Sequence, residues 1–143
     1  MSLILNIETS TSVCSASVSQ NGKVLAQRES FEDKSHATLI TVFVEELLDE
    51  VSITAAELDA VAVSEGPGSY TGLRIGVSVA KGICYAQNIP LIAVDTLKAM
   101  ALMAKKAEYN AEALYCPMID ARRMEVYSAL FDSNFEKVRE TIA

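Results

Sequence analysis

Histidine is almost missing from this chain, with His36 standing alone among 143 residues. A zinc or iron hydrolase site takes two or more histidines, or one histidine with grouped carboxylates, so metallopeptidase chemistry finds no support. A Ser-His-Asp relay would need the same His36, and no Gly-x-Ser-x-Gly elbow is present. Cysteine is scarce as well. Cys14, Cys84 and Cys116 lie far apart inside apolar segments, without metal-ligand spacing, and read as reduced core residues. No apolar run is long enough to span a bilayer, and residues 1–8 lack the basic start and extended apolar run of a signal peptide. The expected location is therefore the cytoplasm. Cations are outnumbered, twelve Lys and Arg against nineteen Asp and Glu, for a net charge of −7. They are scattered rather than clustered. Direct, unaided gripping of RNA phosphates is thus not expected, while a role beside an RNA-binding partner stays open.

What the chain does have is apolar substance, half of its residues, enough for a core in one domain or one domain plus part of another. It also has a concentrated glycine-rich stretch, Ser64-Glu65-Gly66-Pro67-Gly68-Ser69-Tyr70-Thr71-Gly72-Leu73-Arg74-Ile75-Gly76. The β-branched segment before it reads as a buried strand, and the proline-free segment after it as a helix capped by Ser69 or Thr71. Such a turn invites a phosphate-cradle reading. The details oppose it: there is no Gly-Lys-Ser/Thr ending, the glycines miss the G-x-G-x-x-G spacing by one residue, and Tyr70 is bulky where a backbone would meet a pyrophosphate. Gly72, Gly76 and Ala80 form a small-residue stripe. Core packing is the usual use of such a stripe, and a helix-on-helix joint is the alternative. Glycine costs roughly 1 kcal/mol relative to alanine inside a helix, so Gly72, Gly76 and Gly82 call for a compensating contact.

Taken in order, residues 3–8 form an apolar strand ending in a carboxylate. Residues 13–19 alternate, with Cys14, Ala16 and Val18 on one face and serines on the other. Asn21-Gly22 predicts a type I′ hairpin turn into a third strand, 23–31. His36, Leu39, Ile40, Phe43, Val44, Leu47 and Leu48 recur at helical spacing over 36–51, with Ser35 as the cap. Acidic Asp49 and Glu50 oppose the dipole at the end of that helix, so packing has to hold it. Thr54 and Glu57 suggest a capping box before a strand at 60–64. A helix to Gln87, a strand at 91–94 and a helix at 97–107 capped by Asp95 or Thr96 follow. After a linker at 108–113, segments 114–120 and 125–131 repeat the opening: strand, carboxylate, tight turn, alternating strand. The fold class is α/β, a five-stranded mixed sheet with helices in residues 1–107, then the start of a similar lobe in 114–143.

Gly-Pro-Gly-Ser-Tyr-Thr-Gly-Leu-Arg-Ile-Gly closely resembles the signature of the TsaB (YeaZ) family. Ile7-Glu8-Thr9-Ser10 and Ile119-Asp120-Ala121-Arg122-Arg123-Met124-Glu125-Val126-Tyr127 also look like that family. The resemblance implies an actin-like, ribonuclease-H-like (ASKHA) fold whose second lobe is longer in other members. It further implies a non-catalytic subunit of bacterial tRNA threonylcarbamoyladenosine synthesis, without a cofactor of its own. Such a subunit assists a TsaD-type catalytic partner acting on adenosine 37, alongside a TsaE-type ATPase. It forms a homodimer when alone and reaches tRNA only indirectly. Carried onto this chain, the family's contact falls on the first two helices: His36, Leu39, Ile40, Phe43 and Leu47 on one, Tyr70, Leu73, Arg74, Gly76, Val77 and Ala80 on the other.

Other readings hinge on a few polar residues. Glu8, with Thr9 and Ser10 after it, stands where kinases of this superfamily keep an acidic site residue, which motivates a stand-alone ATP-dependent phosphotransferase or acyltransferase as the alternative. No glycine follows Glu8 before Gly22, which favours a residue bonding its neighbouring loop. Asp120, Arg122, Arg123 and Glu125 read as an ion-pair cluster at a strand-turn-strand, with a ligand contact as the alternative.

Overall fold

The computed structural model describes residues 2–32, 36–108 and 110–143, so the expected Ser35 cap lies outside the described residues. Strands β1 (Leu3–Glu8), β2 (Cys14–Gln20) and β3 (Lys23–Ser30) form an antiparallel meander. Asn21 and Gly22 join the last two with φ of 51° and 79°, both positive as a type I′ turn requires. Helix α1 (His36–Glu50) and a single 3-10 turn (Ala55–Glu57) lead to β4 (Ala60–Gly66), which lies parallel beside β1. Helix α2 (Tyr70–Gln87) crosses to β5 (Leu91–Asp95), parallel beside β4. The sheet order is β3-β2-β1-β4-β5, the mixed five-stranded arrangement that the element order implies.

Alternation decides which sheet face is buried. Leu5, Ile7, Cys14, Ala16 and Val18 point to the side covered by α1 and α2, where Ile40, Phe43, Val44, Leu47, Ala80 and Cys84 meet them. Burying each large apolar side chain contributes about 1.5–3 kcal/mol, which outweighs the adverse acids near the end of α1. Those acids are also partnered. Arg28 on β3 reaches Glu46 at 3.0 Å and Glu50 at 2.5 Å, and the two carboxylates push its guanidinium pKa up.

Helix α3 (Thr96–Ala107) starts at an Asp95 cap, whose carboxylate accepts the Lys98 N–H at 3.0 Å. Strands β6 (Met118–Arg122), β7 (Glu125–Phe131) and β8 (Lys137–Ile142) make a second, antiparallel sheet in the order β6-β7-β8. The strand expected from residue 114 begins at Met118, because Tyr115 makes only an isolated bridge to Phe131. Leu97 and Ala101 of α3 join Ile119, Ala129 and Phe131 in a core separate from the first. The helix that sequence grouped with residues 1–107 thus lends its buried side to the second sheet, and Lys137 on β8 pairs with Asp95 at 3.1 Å.

Candidate functional site

The ends of β1 and β4, the β1–β2 loop and the starts of α1 and α2 converge on one corner. The Glu8 carboxylate closes on its surroundings: one oxygen accepts the Ser10 N–H at 2.7 Å and the other accepts the Ser64 hydroxyl. Thr9, wholly buried, donates its hydroxyl to the Gly72 carbonyl at 2.7 Å. The Ser10 carbonyl accepts the Ser69 N–H at 2.6 Å, and the Ser69 hydroxyl caps α2 by accepting the Gly72 N–H at 3.2 Å. His36 at the start of α1 lies 2.8 Å from the Thr11 carbonyl through Nε2. A carbonyl only accepts, so Nε2 carries the proton. The Ser10 and Ser69 N–H groups and the Thr9 and Ser64 hydroxyls are engaged within the chain, while the buried Ser10 hydroxyl has no partner among the described residues. Glu8 is bound to the loop and to Ser64, and among the described residues no group of acids, cysteines and histidine could hold a metal ion.

This corner also explains the glycines. A Cβ at Gly68 would run into the Ser10 carbonyl, one at Gly72 into the Thr9 carbonyl, and one at Gly76 into the Thr9 hydroxyl. The β1–β2 loop is the compensating contact. Gly82 is different: open space surrounds it, and nothing in the structure requires its glycine. Gly82→Ala should raise stability by about 0.5–1 kcal/mol through helix propensity alone, measurable as a higher urea midpoint at constant m-value.

The residues assigned to the contact divide by exposure. Ile40, Phe43, Leu47, Gly76 and Ala80 are buried against the sheet and offer nothing to a partner, which corrects their place on the outer surface. Their apolar stripe is consumed by the core on which α1 and α2 rest. His36, Leu39, Leu73 and Val77 are half-buried. Tyr70 is 75% exposed, and the Arg74 guanidinium sits 5.5 Å from its ring centroid, also exposed. Sequence reading missed Tyr85, the most exposed aromatic among the described residues at 92%. Its signal was present: Tyr70, Arg74, Ser78, Lys81 and Tyr85 fall within one quadrant of a 3.6-residue helix, and all five are exposed.

The remaining candidates do not join this corner. Asp120, Arg122, Arg123 and Glu125 sit on the β6–β7 turn, and among the described residues no ion pair links them. Asp120 instead accepts the Arg122 N–H at 2.7 Å. Arg122, Arg123 and Met124 all have positive φ, so the turn is set by backbone geometry rather than by charge pairing. Burial pushes the Cys14 and Cys84 thiols up, making them poor nucleophiles. A hollow of about 280 Å³ opens on the polar sheet face, lined by Asn6, Glu8, Ser15, Ser17, Gln27 and Ser64 among others. A larger one, about 430 Å³, lies away from these groups between β5 and α3, with an apolar lining of Ala93, Ala99, Leu102 and Met103.

The fold defines the class: a ribonuclease-H-like, actin-like lobe with a mixed five-stranded sheet. RuvC of Thermus thermophilus shares the fold, with a TM-score of 0.50 at 16% identity over 74% of this chain and 73% of that one. YeaZ from Pseudomonas aeruginosa superposes with a TM-score of 0.83 at 32% identity, over all of this chain and 65% of that one. The TsaB protein of tRNA threonylcarbamoyladenosine biosynthesis from Bacillus subtilis is 33% identical over 90% of this chain and 54% of its own length. The family model for TsaD, tRNA N6-adenosine threonylcarbamoyltransferase, matches residues 23–143. The chain belongs to the TsaB (YeaZ) family, within the group that this model describes. It spans about half the length of the curated relatives it matches. Among the described residues, no helix is long and apolar enough to cross a membrane.

Proposed function

We propose that this chain is a docking subunit that assists a TsaD-type transferase in threonylcarbamoylation of adenosine 37 in tRNA, without catalysing the transfer. One observation carries this reading: Glu8, Thr9 and Ser64 at the strand ends are bonded within the chain, while an aromatic and cationic stripe on α2 is exposed. Tyrosine and arginine are the residue types most enriched at interfaces and their hot spots. The docking face consists of Tyr70, Arg74 and Tyr85, flanked by the half-buried Leu39, Leu73 and Val77. When alone, the chain pairs with a second copy through the same face. A TsaE-type ATPase belongs to the same cytoplasmic assembly, and tRNA is held by the partners, consistent with the net charge of −7.

The test is association with the transferase homologue from the same cells, followed by calorimetry or sedimentation. Tyr70→Ala combined with Arg74→Glu should weaken binding at least about tenfold, the scale of a hot-spot pair, and leave the circular dichroism of the free chain unchanged. Unchanged affinity would remove this face from the proposal. Turnover of ATP by the isolated chain, abolished by Glu8→Gln, would replace the docking reading with the enzymatic one.

A further inference from the structure

We infer that Thr9 is the positioning residue of the docking face, fixing where α2 stands over the sheet and hence where Tyr70, Arg74 and Tyr85 are presented. The inference rests on the docking reading above. Its own support is that a single buried side chain meets α2 at two successive turns. The Thr9 hydroxyl donates to the Gly72 carbonyl at 2.7 Å, and the same oxygen occupies the space a Cβ at Gly76 would need. One residue's main chain completes the seat, since the Thr9 carbonyl underlies Gly72. Sixty-three residues separate the hydrogen-bonded pair, so this contact is tertiary and serves no local turn.

The surroundings brace the loop that carries Thr9. Glu8 ties the loop to Ser64, Ser10 ties it to Ser69, and His36 ties it to α1 through the Thr11 carbonyl. The loop therefore holds both helices to one reference, the end of β1. Ala80 and Cys84 hold the later turns of α2 in the core, but Gly72 and Gly76 bring no side chain to the strand below. At these first turns the Thr9 hydroxyl is the side-chain contact that fixes the helix. Tyr70 lies two residues before Gly72, and Arg74 two residues after it. Any slide or roll of this turn is passed directly to both.

The experiment compares Thr9→Val, which keeps the shape and loses the hydroxyl, with Thr9→Ser, which keeps the hydroxyl. Both are assayed for affinity to the transferase homologue at a temperature where circular dichroism shows the free variants fully folded. Thr9→Val should bind roughly tenfold more weakly, the scale of one displaced hot-spot contact, and Thr9→Ser should bind as the parent does. A merely structural role would lower the melting temperature and leave affinity in the folded range unmoved, and that result overturns the inference. Should Thr9→Val not fold, Gly76→Ala takes its place. Its added methyl displaces α2 from the same hydroxyl, so weakened binding supports the inference and parent-like binding overturns it. The Tyr70 and Arg74 variants separate the two claims. If they weaken binding while Thr9→Val does not, the positioning role fails and the docking face stands. If they too bind as the parent does, both fall together.

Discussion

Leu47→Ala should lower the unfolding free energy by about 2–5 kcal/mol, read from urea denaturation followed by circular dichroism. Leu47 is fully buried beside Ile40, Phe43 and Val44, in the cluster that includes Leu5 and Val18 of the sheet. Removing three carbons there loses transfer free energy and leaves a cavity that the close-packed sheet cannot collapse. A surface-facing leucine would give a change within about 0.5 kcal/mol. The size of the effect thus distinguishes a core residue from a contact residue, and affinity for a partner should follow stability rather than lead it. A change below about 1 kcal/mol would contradict the packing of α1 described here.

Gly72→Ala should destabilise by up to about 2 kcal/mol, opposite in sign to the usual gain for this change in a helix. Helix propensity contributes about 1 kcal/mol in favour of alanine. Against it, the new methyl would overlap the Thr9 main-chain carbonyl, which cannot rotate aside. Relief requires lifting the start of α2, which breaks the Thr9–Gly72 and Ser69–Ser10 hydrogen bonds, each contributing about 0.5–1.5 kcal/mol. The same substitution at Gly82, where no atom stands in the way, supplies the control. Equal effects at the two positions would show that neither glycine is held by the loop.

Much of this fold was legible because its strands and helices carry different periods. The alternation at Cys14, Ala16 and Val18 and the Asn21-Gly22 turn fix the meander, and the Ser69 and Asp95 caps fix where two helices begin. Strand β8 was not legible. Its buried and exposed positions alternate between charged and apolar residues the wrong way round, with Val138 and Ile142 outward and Lys137 and Arg139 half-buried. The orientation of α1 and α2 was not legible either. Apolar residues at 39, 40, 43, 44, 47 and 48 cover a stripe wide enough to serve a sheet, a neighbour, or both. Only the sheet's position selects among them. The purpose of Gly72 and Gly76 depends on Thr9, too distant in sequence for any window to connect. The charges around Asp120 misled for a related reason: proximity along the chain suggested pairing, while three left-handed residues set the turn instead.

Helix α3 has a consequence for how the molecule melts. Its cap and its entry belong to the last strand of the larger sheet, yet Leu97 and Ala101 are sunk into the smaller one. Loosening either sheet strips the helix of one of its two anchors. Heat should therefore take the molecule apart as one cooperative body, with α3 as the rivet whose failure releases both halves.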